Sequence, residues 1–142
     1  MNKKDQELIA VLKRNARISV SDLARHLNLS RTTVQQRLKK LEESGTIAGY
    51  SVKLGDNTKA SQIQAYINLV VSPSEGPAVV TQLERYAQVE ALYTVSGKID
   101  FVALLSVDTP TELDEVLDNI AKIKGIKSTE TAIILSTKFD RR

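Results

Sequence analysis

Apolar side chains in the first fifty residues recur at the three- and four-residue spacing of helices. Over residues 5–14, Leu8, Ile9 and Leu12 form one stripe. Two further stripes follow at the same spacing, one through Val20, Leu23, Ala24 and Leu27 and the next through Val34, Leu38 and Leu41. The pattern predicts three helices whose apolar sides pack against one another.

Capping residues indicate where the second and third of these helices begin and end. Ser19 is followed three positions later by Asp22, which matches a capping box. Ser30 is suited to cap the third helix, and Gly45 is a natural residue to terminate it. The segment 19–45 is therefore predicted to fold as a helix, a short turn and a longer helix.

From residue 61 the pattern changes to an alternation of apolar and polar residues, which is typical of half-buried strands. The predicted order is strand, helix, strand, strand, helix, strand. The strands are expected over 61–71, 89–96, 101–108 and 129–139, and the helical stripes are Val79, Val80, Leu83, Tyr86 and Ala87, and Leu113, Val116, Leu117, Ile120 and Ile123.

The connections between these elements also carry predictions. Pro73 to Pro77 predict a turn, and the short segment Gly97 to Asp100 predicts a hairpin. Thr109, Pro110 and Glu112 form a strong helix start, and Gly125 is expected to end that helix. The alternation predicts one face of the second strand as Val89, Ala91, Tyr93 and Val95, and one face of the last strand as Thr131, Ile133 and Leu135.

Two crossovers joined by a central hairpin predict a ferredoxin-like βαββαβ arrangement, a four-stranded antiparallel sheet with both helices on one face. The chain is thus expected to be α+β. It divides into a three-helix, winged-helix-like helix-turn-helix domain over 1–50, a linker over 51–60 and the ferredoxin-like domain over 61–142. The linker is predicted from its extended start and from the turn-forming and polar residues of Gly55 to Ala60.

The face of the sheet that carries no helix is predicted to be partly apolar. Tyr66, Val70, Val102 and Leu104 alternate with the buried positions of the first and third strands. An exposed apolar area of this kind usually marks an association surface. The sequence therefore predicts a homodimer whose sheets face each other.

The third helix carries a polar, basic face opposite its apolar stripe, centred on Thr32, Gln36 and Lys39. Hydroxyls and amides can bond to base edges, and Lys and Arg can hold phosphates or guanine. An ordinary solvated helix face is the alternative, but the preceding helix and turn favour binding to double-stranded DNA. The candidate contacts are Arg17, Ser30, Arg31, Thr32, Thr33, Gln35, Gln36, Arg37, Lys39 and Lys40.

Arg37 lies on the border of this face. We expect it to hold either a phosphate or a neighbouring carboxylate such as Glu42.

Charge and composition support this interpretation. Residues 1–50 carry ten Lys or Arg against five Asp or Glu, whereas residues 51–142 carry ten against twelve. The basic excess therefore lies in the half with the predicted helix-turn-helix, although a basic surface can also serve solubility alone.

The chain has no cysteine and a single histidine, His26, which excludes thiolate metal sites and leaves little for a catalytic triad. No apolar run is long enough to span a bilayer, and we expect a cytoplasmic, nucleoid-associated protein without catalytic or metal-binding residues.

The residues resemble those of the Lrp/AsnC, or feast/famine, family of transcription regulators. The resemblance covers almost the whole chain and is most specific in the first half. The matching positions are Asp5, Leu8, Ile9, Leu12, Arg17, Ser19, Leu23, Ala24, Leu29, Ser30, Val34, Arg37, Leu38, Leu41, Glu42, Gly45, Ile47, Gly49 and Tyr50, followed in the second half by Val95, Gly97 and Asp100.

The resemblance implies a DNA-binding first domain and a second domain that forms dimers and higher oligomers, often octamers. In many members the second domain binds a small effector, commonly an amino acid. The corresponding loop here is Gly97 to Asp100, and Ile99 stands where members often have an aromatic ring. Alternatively, Gly97 serves only the hairpin bend and Asp100 caps it. The candidate effector contacts are Gly97, Ile99 and Asp100, with Ser96, Lys98, Thr129 and Thr131 as weaker ones.

Two other functions are open to such a chain. It could be an architectural protein that bends DNA without an effector, and a response of DNA affinity to an amino acid would distinguish the two. It could also be an enzyme, because sirohaem decarboxylases resemble the same family. The second half has no histidine to act as a proton donor, so we expect no enzymatic activity.

Overall fold

The computed structural model describes residues 1–59 and 61–142. Its contacts divide the chain into two compact units, Met1–Lys53 and Leu54–Arg142. The boundary falls inside the segment 51–60. Within that segment, Asp56–Lys59 forms one turn of helix, α4, so the prediction of extended backbone is wrong there. The turn closes locally because the Thr58 amide donates to the Gly55 carbonyl at 3.0 Å. Ala60, the last residue of the predicted linker, lies outside the described residues.

The first unit contains the three predicted helices, α1 (Lys3–Arg14), α2 (Val20–Leu27) and α3 (Arg31–Glu43). Ser19 and Ser30 cap α2 and α3 as predicted, each hydroxyl accepting from the amide three residues later. Asn28 takes a left-handed conformation between the two helices, and Gly45 does so after α3. The apolar sides meet in one core formed by Leu8, Leu23, Ala24, Leu27, Val34 and Leu41.

The second unit is a four-stranded antiparallel sheet within residues 61–142. Its strands are β1 (Ile63–Val71), β2 (Val89–Thr94), β3 (Phe101–Val107) and β4 (Ile126–Ile133), in the spatial order β2-β3-β1-β4. Helices α5 (Gly76–Glu84) and α6 (Pro110–Ala121) pack on one face, against the inward side chains of β1 and β3. The predicted ferredoxin-like fold is confirmed.

The segment after β1 differs from its prediction. Pro73–Glu75 forms a 3₁₀ turn and α5 already begins at Gly76, so Pro73 to Pro77 is not a simple turn. The helix ends at Glu84, which leaves Tyr86 and Ala87 outside it, and Val80 is exposed. Since proline needs no amide partner, Pro77 fits the first turn of a helix, where amides are unpaired.

A register shift between Val89 and Ala91 changes which side chains of β2 face the core. After the shift Leu92 packs into the core and Tyr93 is about half exposed, at 49%. The predicted face through Val89, Ala91, Tyr93 and Val95 is therefore wrong, because the irregularity breaks the alternation of side chains. The strand also ends at Thr94 rather than Ser96.

The last strand begins earlier and ends earlier than predicted. β4 starts at Ile126 and pairs with β1 as far as Ile133, opposite Ala65. Leu135, predicted to share a face with Ile133, is 94% exposed. Gly125 does not end the preceding helix, which stops at Ala121. Gly125 instead leads into β4 with a left-handed backbone, and its carbonyl accepts from the Ser72 amide at 2.8 Å.

Candidate nucleic-acid interface and effector loop

Helix α3 presents its predicted polar face to solvent. Thr32, Gln35 and Gln36 are exposed, as are Arg31, Lys39 and Lys40, while Val34 and Leu41 on the opposite side are buried. A helix fixed through one side, with amides, hydroxyls and cations on the other, has the composition used to read bases and hold phosphates.

Capping hydrogen bonds define the start of this helix. The hydroxyl of Ser30 accepts from the Thr33 amide at 3.1 Å and lies 2.8 Å from the Thr33 hydroxyl. These two side chains therefore fix the shape of the first turn. Arg31 and Thr32 follow them on the exposed side. Arg17 is exposed in the connection between α1 and α2, where its amide donates to the Asn15 side chain at 3.1 Å.

Arg37 differs from the other cations of α3. Its Nη1 donates to Oδ1 of Asp5 at 3.0 Å and to Oδ1 of Asn2 at 3.3 Å, both at the start of α1. The expectation of a carboxylate partner is met by Asp5, and the suggestion of Glu42 is wrong. The carboxylate of Glu42 instead accepts from the Tyr50 hydroxyl at 2.9 Å. Partial burial, and then the hydrogen bond and charge of Glu42, raise the pKa of that hydroxyl.

Two clefts in the first unit border α3. One, of about 600 Å³, lies between the start of α1 and the later turns of α3 and is lined by Asn2, Asp5, Thr33, Gln36, Arg37, Lys39, Lys40 and Glu43. The other, of about 590 Å³, is lined by Ser21, Ala24, Arg25, Asn28, Leu29, Ser30 and Arg31. Basic side chains border both clefts, and the carboxylates of Asp5 and Glu43 also line the first.

The loop Ser96 to Asp100 joins β2 to β3 and is tied to the neighbouring strand. The Asp100 amide donates to the Leu69 carbonyl at 2.8 Å, and Oδ2 of its side chain accepts from the Val71 amide at 2.8 Å. Gly97 has a φ of 118°, a conformation that favours glycine. The Asp100 side chain thus bonds to the end of β1, which is not the hairpin bend that it was considered to cap. That bond uses one of its two carboxylate oxygens.

Two of the weaker effector candidates, Thr129 and Thr131, do not join this loop within one chain. Thr129 lies opposite Leu69 and Thr131 opposite Ile67, both on the edge strand β4. Strand β1 separates them from the loop, because Asp100 and Phe101 bond to β1 from its other side. Of the loop residues, Ile99 is partly buried and Ser96, Gly97 and Lys98 are exposed.

Sequence reasoning missed the polar contacts made by the start of α1. The Asp5–Arg37 pair is one, and the bond from Lys4 Nζ to the Leu27 carbonyl, at 2.7 Å, is another. The only signal in the sequence was that Arg37 sits at the edge of the apolar stripe, where a partly buried cation needs a partner.

The described ranges 1–59 and 61–142 contain neither a metal-binding cluster nor a membrane-spanning helix. No three or more His, Cys, Asp or Glu side chains are grouped there so that they could hold a metal ion. None of the helices described is both long enough and apolar enough to cross a membrane.

The fold and the site define a class of protein. A helix-turn-helix unit with an exposed, basic second helix is joined to a separate ferredoxin-like unit, and this combination is that of a DNA-binding protein with an additional regulatory or assembly domain.

Comparisons with known proteins agree. Residues 1–48 match the model for winged helix-turn-helix DNA-binding domains, and residues 64–142 match the Lrp/AsnC ligand binding domain. An HTH-type transcriptional regulator from Pyrococcus horikoshii is 31% identical over 135 residues, covering 94% of this chain and 85% of the relative. The HTH-type transcriptional regulator LrpA from Mycobacterium tuberculosis is 29% identical over 139 residues, covering 97% and 92%.

Solved structures agree as well. E. coli AsnC superposes with a TM-score of 0.90 at 25% identity, covering 100% of this chain and 97% of the other. The leucine response regulatory protein LrpA of M. tuberculosis superposes at 0.83 with 28% identity, covering 100% and 97%. The chain belongs to the Lrp/AsnC family of DNA-binding transcription regulators.

Proposed function

We propose that this regulator recognises a specific operator through the exposed face of α3. Arg31, Thr32, Gln35 and Gln36 would read base edges, and Arg17, Lys39 and Lys40 would hold phosphates. The observation that carries this assignment is the exposure of these groups on a helix whose other side is buried. Ser30 and Thr33 would shape the first turn, because their hydroxyls already bond to each other.

We further propose that an amino acid binds the second unit and modulates DNA binding. The match to a ligand binding domain supports this. Gly97 leaves room for a ligand to approach the backbone, since a Cβ added there would meet nothing within 4 Å. Asp100 retains a carboxylate oxygen for an ammonium group. Leucine is the first candidate to test, because the M. tuberculosis relative is described as a leucine response regulatory protein.

A homodimer formed through the outward face of the sheet completes the proposal. Tyr66 pairs with Leu104 across β1 and β3, and Tyr93 pairs with Val102 across β2 and β3. All four side chains are at least partly exposed although most are apolar. A twofold dimer presents two copies of α3 to a twofold-symmetric site, and dimers could assemble further into an octamer. Thr129 and Thr131 would contribute to the effector site only if such an assembly brought them to another chain's loop.

We propose no enzymatic activity. We further propose that the protein is found in the cytoplasm at the nucleoid, because the partner that it binds is DNA. The absence of histidine beyond His26 argues against a proton-transfer role for the second unit.

The experiment that tests the regulatory proposal is a thermal-shift screen of the amino acids against the purified protein, followed by DNA titrations at fixed salt. A bound ligand raises the midpoint of unfolding according to its occupancy. We expect one amino acid to raise the midpoint and to change the affinity for a duplex enriched from a random pool. Asp100→Ala should lose both effects and remain a dimer. Tight DNA binding that no amino acid alters would favour an architectural protein instead.

A further inference from the structure

The first turn of α1 contacts both helices of the helix-turn-helix. Oδ1 of Asn2 caps α1 by accepting from the Asp5 amide at 2.8 Å, and the same oxygen accepts from Nη1 of Arg37 at 3.3 Å. Asp5 accepts from that Nη1 at 3.0 Å. Lys4 reaches the other way and donates to the Leu27 carbonyl at the end of α2 at 2.7 Å. We call these contacts the first-turn clamp.

The clamp removes Arg37 from the surface that the other cations of α3 share. The side chains of Arg37 and Asp5 are 28% and 19% exposed, whereas that of Lys39 is 77% exposed. Nε of Arg37 is buried and has no hydrogen-bond partner within the described residues. Moving the guanidinium to a phosphate would break two hydrogen bonds and leave the Asp5 carboxylate partly buried without its partner, which is costly.

The first-turn clamp lies where it can set the orientation of α3 relative to α1. Gln36 and Lys40 are neighbours of Arg37 on α3. Both line the first of the two clefts, which Asn2 and Asp5 also line. A change in the angle between α1 and α3 would therefore move side chains proposed to contact DNA. Small displacements of such groups carry large penalties, because base contacts depend on aligned hydrogen bonds.

We propose that Arg37 is a positioning residue, which acts through Asp5 and Asn2 to set the orientation of α3 and does not itself contact DNA. The inference rests on the proposed operator recognition by α3. It assigns to Asp5, an acidic residue on a DNA-binding unit, a role that favours DNA binding.

Asp5→Asn tests whether Asp5 favours or opposes DNA binding. If Arg37 were a phosphate contact, removing the nearby negative charge would free the cation and strengthen binding. If Arg37 positions α3, the same substitution weakens affinity for a duplex enriched from a random pool by the wild-type protein. We expect a loss of about tenfold, within the range of coupled polar networks. Glu43→Gln is the matched control, because it removes a carboxylate that lines the same cleft but pairs with exposed Lys39, at 3.8 Å, and not with Arg37. Affinity should stay equal or rise.

The salt dependence of binding separates positioning from contact. Arg37→Gln should lower affinity for the enriched duplex and leave the slope of log K against log salt unchanged. A lost phosphate contact would reduce that slope by about one. The charge-reversed pair Asp5→Lys with Arg37→Glu should recover part of the affinity that Arg37→Glu loses alone. A double variant as weak as the single one overturns the inference.

Thermal unfolding of the same variants provides a readout that needs no DNA. Asp5→Asn and Arg37→Gln should be non-additive in their effect on the unfolding midpoint, because they remove the same interaction. Additive effects would show that Asp5 and Arg37 do not share one interaction and would overturn the inference. If the wild-type protein binds no duplex, the proposed operator recognition fails and the positioning role fails with it. If it binds tightly and Asp5→Asn binds equally well, only the inference about Arg37 fails.

Discussion

At the scale of single residues, hydrogen bonding and exposure assign different roles to neighbouring side chains of α3. Gln36 and Arg37 are adjacent, yet Gln36 is exposed and Arg37 is held by Asp5 of α1 and by Asn2, which caps that helix. Counting residues around a helix identifies the face on which each lies. It does not identify a partner 32 residues away, so the role of Arg37 emerged only from the structure.

The proposed reading and phosphate contacts are separable by substitution. Gln36→Ala should lower discrimination between the enriched duplex and its single-base variants, by about 1–3 kcal/mol at one base pair, because an amide contact to a base is lost. Lys40→Ala should weaken binding to all duplexes and reduce the salt slope by about one. Competition titrations at several salt concentrations measure both. An unchanged base preference for Gln36→Ala would remove it from the reading residues.

Glu112 makes the stability of the second unit depend on pH in the acid range. Its carboxylate accepts from the Asp108 amide at 3.0 Å and from the Gln88 side chain at 3.1 Å, and these bonds, the first more than the second, lower the pKa of Glu112. Because the folded pKa is depressed, the contribution to stability is present above the ordinary glutamate pKa of about 4.3 and is lost as pH falls through the folded pKa.

Glu112→Gln should therefore have a lower unfolding midpoint than the wild-type protein near neutral pH, and the difference should shrink in acid. Gln88→Ala, which removes only the weaker donor, should produce a smaller change in the same direction. Scanning calorimetry across the acid range measures both. If the difference in unfolding midpoint between wild type and Glu112→Gln stayed constant with pH, the ionised Glu112 carboxylate would not be its cause.

At the scale of elements, features set by neighbouring residues were predictable and features set by distant strands were not. The caps at Ser19, Ser30 and Thr109 depend on residues three positions away, and all three are formed. The shift in β2 and the start of β4 depend on pairing with β3 and β1. The candidate DNA face was predictable because helical periodicity is local, whereas the anchoring of Asp100 to Val71 required the position of β1.

Gly125 illustrates a requirement that no local pattern shows. Its φ is 101°, and a Cβ added there would lie 2.4 Å from Cβ of Glu75. Gly125→Ala should destabilise the second unit by about 3 kcal/mol, from the strained backbone and the overlap together. Chemical denaturation measures the change in the free energy of unfolding.

Two other glycines of this unit serve as graded controls for that substitution. A Cβ on Gly97 meets nothing within 4 Å but has an unfavourable φ of 118°, so Gly97→Ala should cost about 1 kcal/mol. Gly76 has open space and a φ of −51°, so Gly76→Ala should be within about 0.5 kcal/mol of neutral. If Gly125→Ala matched Gly76→Ala, the close approach to Glu75 would not exist in solution.

At the scale of the whole molecule, the proposed regulator needs two associations, of the sheet with a second copy and of α3 with DNA. The sheet supplies a partly apolar face on the side opposite α5 and α6. The first unit supplies the net positive charge, ten basic against five acidic residues in 1–50. Dimerisation would double the number of phosphate contacts made by each bound species and so strengthen binding.

Leu104→Asp tests the dimer face. Leu104 lies between Ala91 and Tyr66 on the outward side, and a charge buried there between two copies would oppose association. We expect a monomer by sedimentation or light scattering, with the circular dichroism of the wild-type protein and weaker binding to DNA. Ala78→Asp, at an exposed position of α5, makes the same kind of change elsewhere and should remain a dimer. Wild-type association in Leu104→Asp would contradict the assignment of this face.

The most direct test of the account is titration of a labelled double-stranded oligonucleotide with the purified protein at low ionic strength, followed by added salt. The account predicts saturable binding whose affinity falls steeply as salt rises, with a shallower fall for the Lys39→Ala, Lys40→Ala double variant because two proposed phosphate contacts are lost. No binding at low salt, or binding that this double substitution leaves unchanged, would contradict the claim that the exposed face of α3 grips DNA.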